Sequence, residues 1–131
     1  MSTPFKVVRH GNNNFITDYP LAASTTSTHG YIVGVNAAGY LSGAPTLLLG
    51  VATETKTSIG IGDVKVKVES GYLGFQNGTN ADALTIGDIG DPVYLISGNT
   101  VGKTNGGGTR LAAGTLVNIE QSGLLVVKIG I

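Results

Sequence analysis

Gly90-Asp91-Pro92-Val93-Tyr94-Leu95 opens the last third of the chain and Leu124-Leu125-Val126-Val127-Lys128-Ile129 closes it, with a Gly-, Thr- and Asn-rich stretch between. A Gly-Asp pair supplies a positive-φ residue and a self-bonding side chain, which reverse a chain, and Val-Tyr-Leu then favours extension. Working outward, the same alternation of short apolar runs and turn residues continues. Strands are predicted over Tyr31 to Val35, Tyr40 to Leu41, Leu47 to Thr53, Val64 to Glu69, Val93 to Ile96, Leu116 to Ile119 and Leu124 to Ile129. Within Val64-Lys65-Val66-Lys67-Val68-Glu69 the period is two, placing the valines on one face and Lys65, Lys67 and Glu69 on a face that meets water. Leu47 to Ala52 and Leu124 to Val127 are continuous apolar runs, expected where a core or a partner covers both strand faces. Helix signals are confined to Asn80-Ala81-Asp82-Ala83-Leu84, which Asn80 caps and Gly87 stops.

The expected fold is therefore all-β, a small β-barrel or β-sandwich of short strands with Gly-rich turns. The 131 residues fit one domain, which at this size buries roughly two thirds of the surface its unfolded chain exposes. Glycine, at 21 residues, is about twice as frequent as the ~7 % average. Eight basic and eight acidic side chains cancel in a chain only 12 % charged, so it shows no electrostatic footprint for nucleic acid or an anionic membrane. The absence of cysteine excludes a disulfide framework and thiolate metal sites and fits a reducing compartment. Met1-Ser2-Thr3-Pro4-Phe5-Lys6 has none of the pattern of a secretory signal.

Residues 1–29 differ in texture from the rest, with Asn12-Asn13-Asn14 and Ser24-Thr25-Thr26-Ser27-Thr28 around a thin apolar segment. They read as an extended N-terminal arm ahead of a body at 30–131. Phe5, Val7, Phe15, Ile16, Tyr19 and Leu21 are then the candidate contacts with the body or with a neighbouring chain. The alternative is a first strand and a loop inside the fold. A weak echo recurs at an offset of about 60 residues: Gly30-Tyr31-Ile32-Val33 through Leu49-Gly50-Val51-Ala52 to Val64–Val68 parallels Gly90 through Leu111-Ala112-Ala113 to Leu125–Ile129. Either two similar halves compose one small barrel, or β composition alone produces the likeness.

Chemical motifs are sparse. Gly102-Lys103-Thr104 resembles the end of a phosphate loop, but Ser97 stands where the first glycine is required and no helix follows. His10 and His29 lack paired-ligand spacing, so no metal site is expected. Asp82, Asp88 and Asp91 are dense enough to suggest calcium, yet lack the alternation of a calcium loop and read as turn formers. Ser97 and Ser122 have no histidine in a triad context. No catalytic residue and no cofactor are expected.

Gly90–Leu95, the Asn99-Thr100-Val101 turn, Leu111-Ala112-Ala113-Gly114-Thr115 and the Val126-Val127-Lys128-Ile129 close, with Leu49–Ala52 and Val64–Val68 before them, give residues 30 to 131 a likeness. The chain resembles the small capsid decoration, or cement, proteins of tailed bacteriophages. That resemblance implies a small β-barrel made in the host cytoplasm that joins the virion exterior. It also implies the major capsid protein as partner, often with a homotrimer at three-fold positions. The longer N-terminal segment departs from the group. A receptor- or glycan-binding module of a phage fibre is the alternative, with Tyr31, Tyr40, Tyr72, Phe75 and Tyr94 its available aromatic platforms. An enzyme, the third class, requires Asp82, Asp88 and Asp91 to converge in one cleft.

Overall fold

The computed structural model describes residues 14–130. Ten strands form, β1 Phe15–Pro20, β2 Thr26–Ser27, β3 Ile32–Val35, β4 Leu47–Ala52, β5 Lys56–Thr57, β6 Lys65–Asn77, β7 Pro92–Ser97, β8 Thr100–Gly102, β9 Ala112–Ile119 and β10 Leu125–Ile129. Two single 3-10 turns, Asn80–Asp82 and Ile86–Asp88, are the helical content among the described residues. The all-β expectation holds, and the architecture is a barrel. β6, β10, β9, β7 and β8 close on themselves, which removes the open edges that a flat sheet would leave.

Thirteen residues long, β6 runs through the whole molecule. Val68 and Glu69 pair with β1 on one edge and with β4 on the other, and from Gly71 onward β10 takes over from β4. Residues 64–69 are only its first half. Gly71 and Gly74 conceal the continuation from a reading of apolar pattern, because a glycine adds nothing to either face of a strand.

The echo in the sequence corresponds to a duplication of pairing. Val33 lies opposite Gly50 and Val93 opposite Gly114, each pair followed by a register shift. Val51 opposes Glu69 as Thr115 opposes Lys128. Phe15–Ser70 and Tyr19–Val66 are matched by Gly71–Ile129 and Phe75–Leu125. Leu41 bridges antiparallel to Val35 and parallel to Leu21, and Val101 bridges Leu95 and Asn77 in the same senses. Each half thus draws its own ring of strands. The second ring is a continuous barrel, and the first is closed through the two bridges at Leu41. Of the two readings of the echo, the pairing supports similar halves, which form two adjoining rings. They share β6, whose N-terminal half completes the first ring and whose C-terminal half opens the second.

Two cores follow from two rings. Leu21, Leu41, Ala52, Val66 and Val68 fill the first. Leu73, Phe75, Val93, Val101, Leu116, Leu125 and Val127 fill the second, and Ile32, Leu48 and Val51 from the first half pack into it. That cross-packing makes the halves one body.

One consequence of burial departs from the alternation rule. Glu69 is 1 % exposed, although strict period two puts it beside Lys65 and Lys67, which are exposed. It sits where β1 and β4 both flank β6, and Asn14 Nδ2 donates to its Oε2 at 3.0 Å.

Two glycines at matched positions set the spacing of strands. A Cβ on Gly50 would lie 2.2 Å from the Glu69 carbonyl oxygen, and one on Gly114 would lie 2.1 Å from that of Lys128. Gly50→Ala and Gly114→Ala should therefore each lower unfolding free energy by about 1–3 kcal/mol. Gly43→Ala, which meets nothing within 4 Å, should stay within about 0.5 kcal/mol in the same urea titration.

Candidate interaction surface

Residues 14–29 belong to the fold and are not an arm. β1 pairs with six consecutive residues of β6, from Phe15–Ser70 to Pro20–Lys65. Phe15, Thr17, Tyr19 and Leu21 share one face, which passes from exposed at Phe15 to fully buried at Leu21 as the strand enters the barrel. Only its C-terminal half is covered, so the period of two does not appear as alternating hydrophobicity. Beyond β1, Thr26–Ser27 pairs with Lys56–Thr57, and the buried Ser58 holds the segment through the Thr25 N–H and the Ala22 carbonyl.

The six candidate contacts separate accordingly. Leu21 is fully buried in the first core and is not offered to a partner, while the half-buried Tyr19 packs against that core. Phe15 and Ile16 are exposed. Phe5 and Val7 lie outside the described residues. Asn14 carries a role the sequence did not signal. Its side-chain amide accepts from the Tyr72 N–H at 2.9 Å and donates to the Tyr72 carbonyl at 3.1 Å, as a strand backbone would. An asparagine beside Asn12 and Asn13 reads as loop chemistry, and nothing in the sequence marks it as a strand surrogate.

The three aspartates are engaged separately. Asp82 Oδ1 receives Arg110 Nη1 at 2.8 Å and the Thr104 hydroxyl at 2.6 Å, tying the loop between β8 and β9 to the first 3-10 turn. Asp88 caps the second turn, accepting from the Thr85 N–H at 2.8 Å and hydroxyl at 3.2 Å, with Lys103 Nζ 3.5 Å from its other oxygen. Asp91 is exposed, and its backbone carbonyl accepts from Leu116. Among the described residues no group of three or more His, Cys, Asp or Glu side chains is placed to hold a metal ion.

Arg110 foremost, with the Thr104 hydroxyl, holds the Asp82 carboxyl below its ordinary 3.8. For Asp88 the Thr85 N–H acts first, aided by the Thr85 hydroxyl and Lys103 against the opposing effect of partial burial.

Three hollows among the described residues are lined without an acid or a base. One of about 180 Å³ at the mouth of the first ring has Leu21, Leu41, Ile32, Leu48 and Leu95 below a rim of threonine and serine hydroxyls. A shallow cleft of about 480 Å³ lies between β4 and β9, and a third hollow sits at Gln76, Asn77 and the Ser122–Leu124 turn. All three are lined by uncharged residues alone.

No protein-family model, curated protein or solved structure matches this chain.

What the surface does offer is apolar side chains on rigid backbone. Phe15 and Ile16 stand on β1, Leu47 on β4, Ile59 and Ile61 on the loop before β6, and Ile86 and Ile89 on the loop after it. Lys56, Lys67, Lys103 and Arg110 are each ion-paired. Such a surface loses little desolvation energy when a flat protein partner covers it.

Leu21→Ala should cost about 2–5 kcal/mol of stability, whereas Phe15→Ser should change it by less than about 0.5 kcal/mol. Chemical denaturation of both variants distinguishes core from contact. Acid should also act through Asp82 and Asp88. Both folded-state values are depressed, so the folded protein binds fewer protons than the unfolded one. Their stabilisation is present above the ordinary carboxylate value and lost as pH falls through the folded values. Melting temperature should fall below about pH 4, with a smaller decline in Asp82→Asn, which should melt lower than the parent at neutral pH.

Proposed function

We propose that this chain is a capsid decoration protein, a structural virion component that binds the outer surface of an assembled lattice of major capsid protein and stabilises it. The observation that supports the reading is the set of exposed apolar side chains, among them Phe15, Ile16, Leu47, Ile59 and Ile61, displayed on hydrogen-bonded strands and turns. The resemblance of residues 30 to 131 to phage cement proteins points the same way.

A protein of this kind stabilises a shell by mass action, contributing RT ln(1 + [L]/Kd) for each site that exists only in the assembled form. Each stable contact requires on the order of 1,000 Å² of buried surface. Association as a trimer at three-fold positions would link three such contacts and raise the effective concentration of the second and third. Exposed Phe15 and Ile16 remain suited to this role, and the fully buried Leu21 leaves it.

Cosedimentation with mature and immature shells of the virus that encodes the chain tests the proposal. Binding should favour the mature form, and equal recovery with both, or with neither, defeats it. A truncation lacking residues 2–13 keeps β1 and should remain folded. Its weakened sedimentation with shells would assign a share of the contact to Phe5 and Val7, and full occupancy would remove them from the interface.

A further inference from the structure

We infer that Asn105 is a site of spontaneous covalent modification, where the protein converts its own side-chain amide to a carboxylate, while the fold shields the equivalent pair at Asn77. The inference is independent of the decoration role. Asn77-Gly78 and Asn105-Gly106 are the two Asn-Gly pairs of the chain. In such a pair the glycine nitrogen can attack the asparagine Cγ, because no Cβ on the second residue obstructs the approach. A bond forms between that nitrogen and Cγ, the Cγ–Nδ2 bond breaks, and the side-chain nitrogen leaves as ammonia with the proton of the glycine amide, giving a five-membered imide. Water then opens the imide at either carbonyl, leaving aspartate or isoaspartate. No oxidant, metal or enzyme enters the balance.

The fold treats the two pairs differently. Asn77 is the last residue of β6, in register with Val101 of β8. Its side chain is held at both polar atoms: Nδ2 donates to the Leu84 carbonyl at 2.9 Å, and the Leu84 N–H donates to Oδ1 at 2.9 Å. Leu84 is buried in the second core. Turning the Asn77 amide onto the Gly78 nitrogen breaks both bonds and strands the backbone N–H and carbonyl of a buried residue.

Asn105 stands in the exposed loop between β8 and β9, outside every strand. Gly106, Gly107 and Gly108 follow it with φ of 64°, 73° and 94°. The N–H groups of Gly107 and Gly108 donate to Asn105 Oδ1 at 3.1 and 3.2 Å. Among the described residues, neither Asn105 Nδ2 nor the Gly106 N–H has a partner. The leaving group and the nucleophile are therefore the two groups this loop leaves unbonded. The oxygen on which charge develops during the attack is the one it holds with two donors. The same two amides suit the carboxylate that forms when the imide opens to aspartate. Conversion adds one negative charge to a chain whose eight basic and eight acidic side chains otherwise cancel, in the loop that Arg110 fastens to Asp82.

Hydroxylamine, which intercepts the imide and cleaves the chain after the asparagine, tests the assignment on the unaltered protein. The folded protein should be cut after Asn105 at least about tenfold faster than after Asn77, a ratio that a local opening costing only about 1.4 kcal/mol supplies. In denaturant both bonds should be cut and the preference should disappear. On storage of the folded protein at mildly alkaline pH, peptide mapping should find the amide-to-acid mass change at residue 105. Isoelectric focusing should then show an acidic band that Asn77→Ser retains and Asn105→Ser lacks. Faster or equal cutting after Asn77 in the folded protein, the same preference in denaturant, or a folded Asn105 that resists hydroxylamine overturns the inference, whatever is found of binding to shells.

Discussion

Everything in the molecule depends on one strand being shared. β6 offers two edges over thirteen residues, and each edge changes partner part-way along, so that two rings can close around a single backbone. Hydrogen bonding forces the arrangement. A strand that completed only the first ring would leave the second with an unpaired edge, and buried or barrel-lining amides without partners are costly. Asn14 shows how tightly this is enforced. Where the β1 ladder ends, its side-chain amide supplies the donor and acceptor that Tyr72 would otherwise lack. It sits over Gly71, in the space that a Cβ there would fill.

Duplication explains why a chain with so few large aromatic residues is still packed. Each ring needs only a handful of inward side chains, and Val66, Val68 and Leu21 do for the first what Val127, Leu125 and Phe75 do for the second. The close approaches at Gly50 and Gly114 are repeated with the strands that need them. Where the halves differ, they differ in loops: the β9–β10 connection is the tight turn around Gly123, with Gly123 N–H donating to the Glu120 carbonyl at 2.8 Å, whereas the β4–β6 connection carries β5 and two exposed isoleucines. Scaffold positions kept their pairing, while loops were free to diverge because no ladder depends on them.

Much of the fold was legible because its signals are local. Gly-Asp turns and valine-rich runs located β3, β4, β7, β9 and β10, and the 60-residue echo marked equivalent strands. What was hidden has a common cause, namely that burial is not periodic along a strand that changes neighbours. β1 looks like an arm since Phe15 is outside the barrel and Leu21 inside. Glu69 looks solvated since alternation cannot report that two strands flank it. The second half of β6 is masked by glycines. The candidate contacts suffered most, because a scattered set of apolar residues near a terminus reads the same whether it docks on another chain or on its own. The isoleucine loops escaped notice for the converse reason: Ile59 and Ile86 sit among glycines and aspartates, and turn chemistry says where the chain reverses but not which side chains it lifts into water.

Electrostatics and function meet in the same economy. Eight acidic groups are distributed through the sequence, and those with strong partners are used to fasten loops: Asp82 to Arg110 and Thr104, Asp88 to Thr85. A carboxylate held in its charged form by a guanidinium or a turn amide is a poor proton donor or acceptor near neutrality, so Asp82 and Asp88 serve to fasten their loops. Rigidity without reactivity is what a contact surface requires. An enzyme needs groups poised between two protonation states and a hollow that excludes water around them, whereas an adhesive molecule gains from fixing its apolar groups in advance and keeping charge occupied elsewhere. The isoleucines stand on loops pinned by backbone bonds and capping carboxylates, and that fixation favours the proposed contact role.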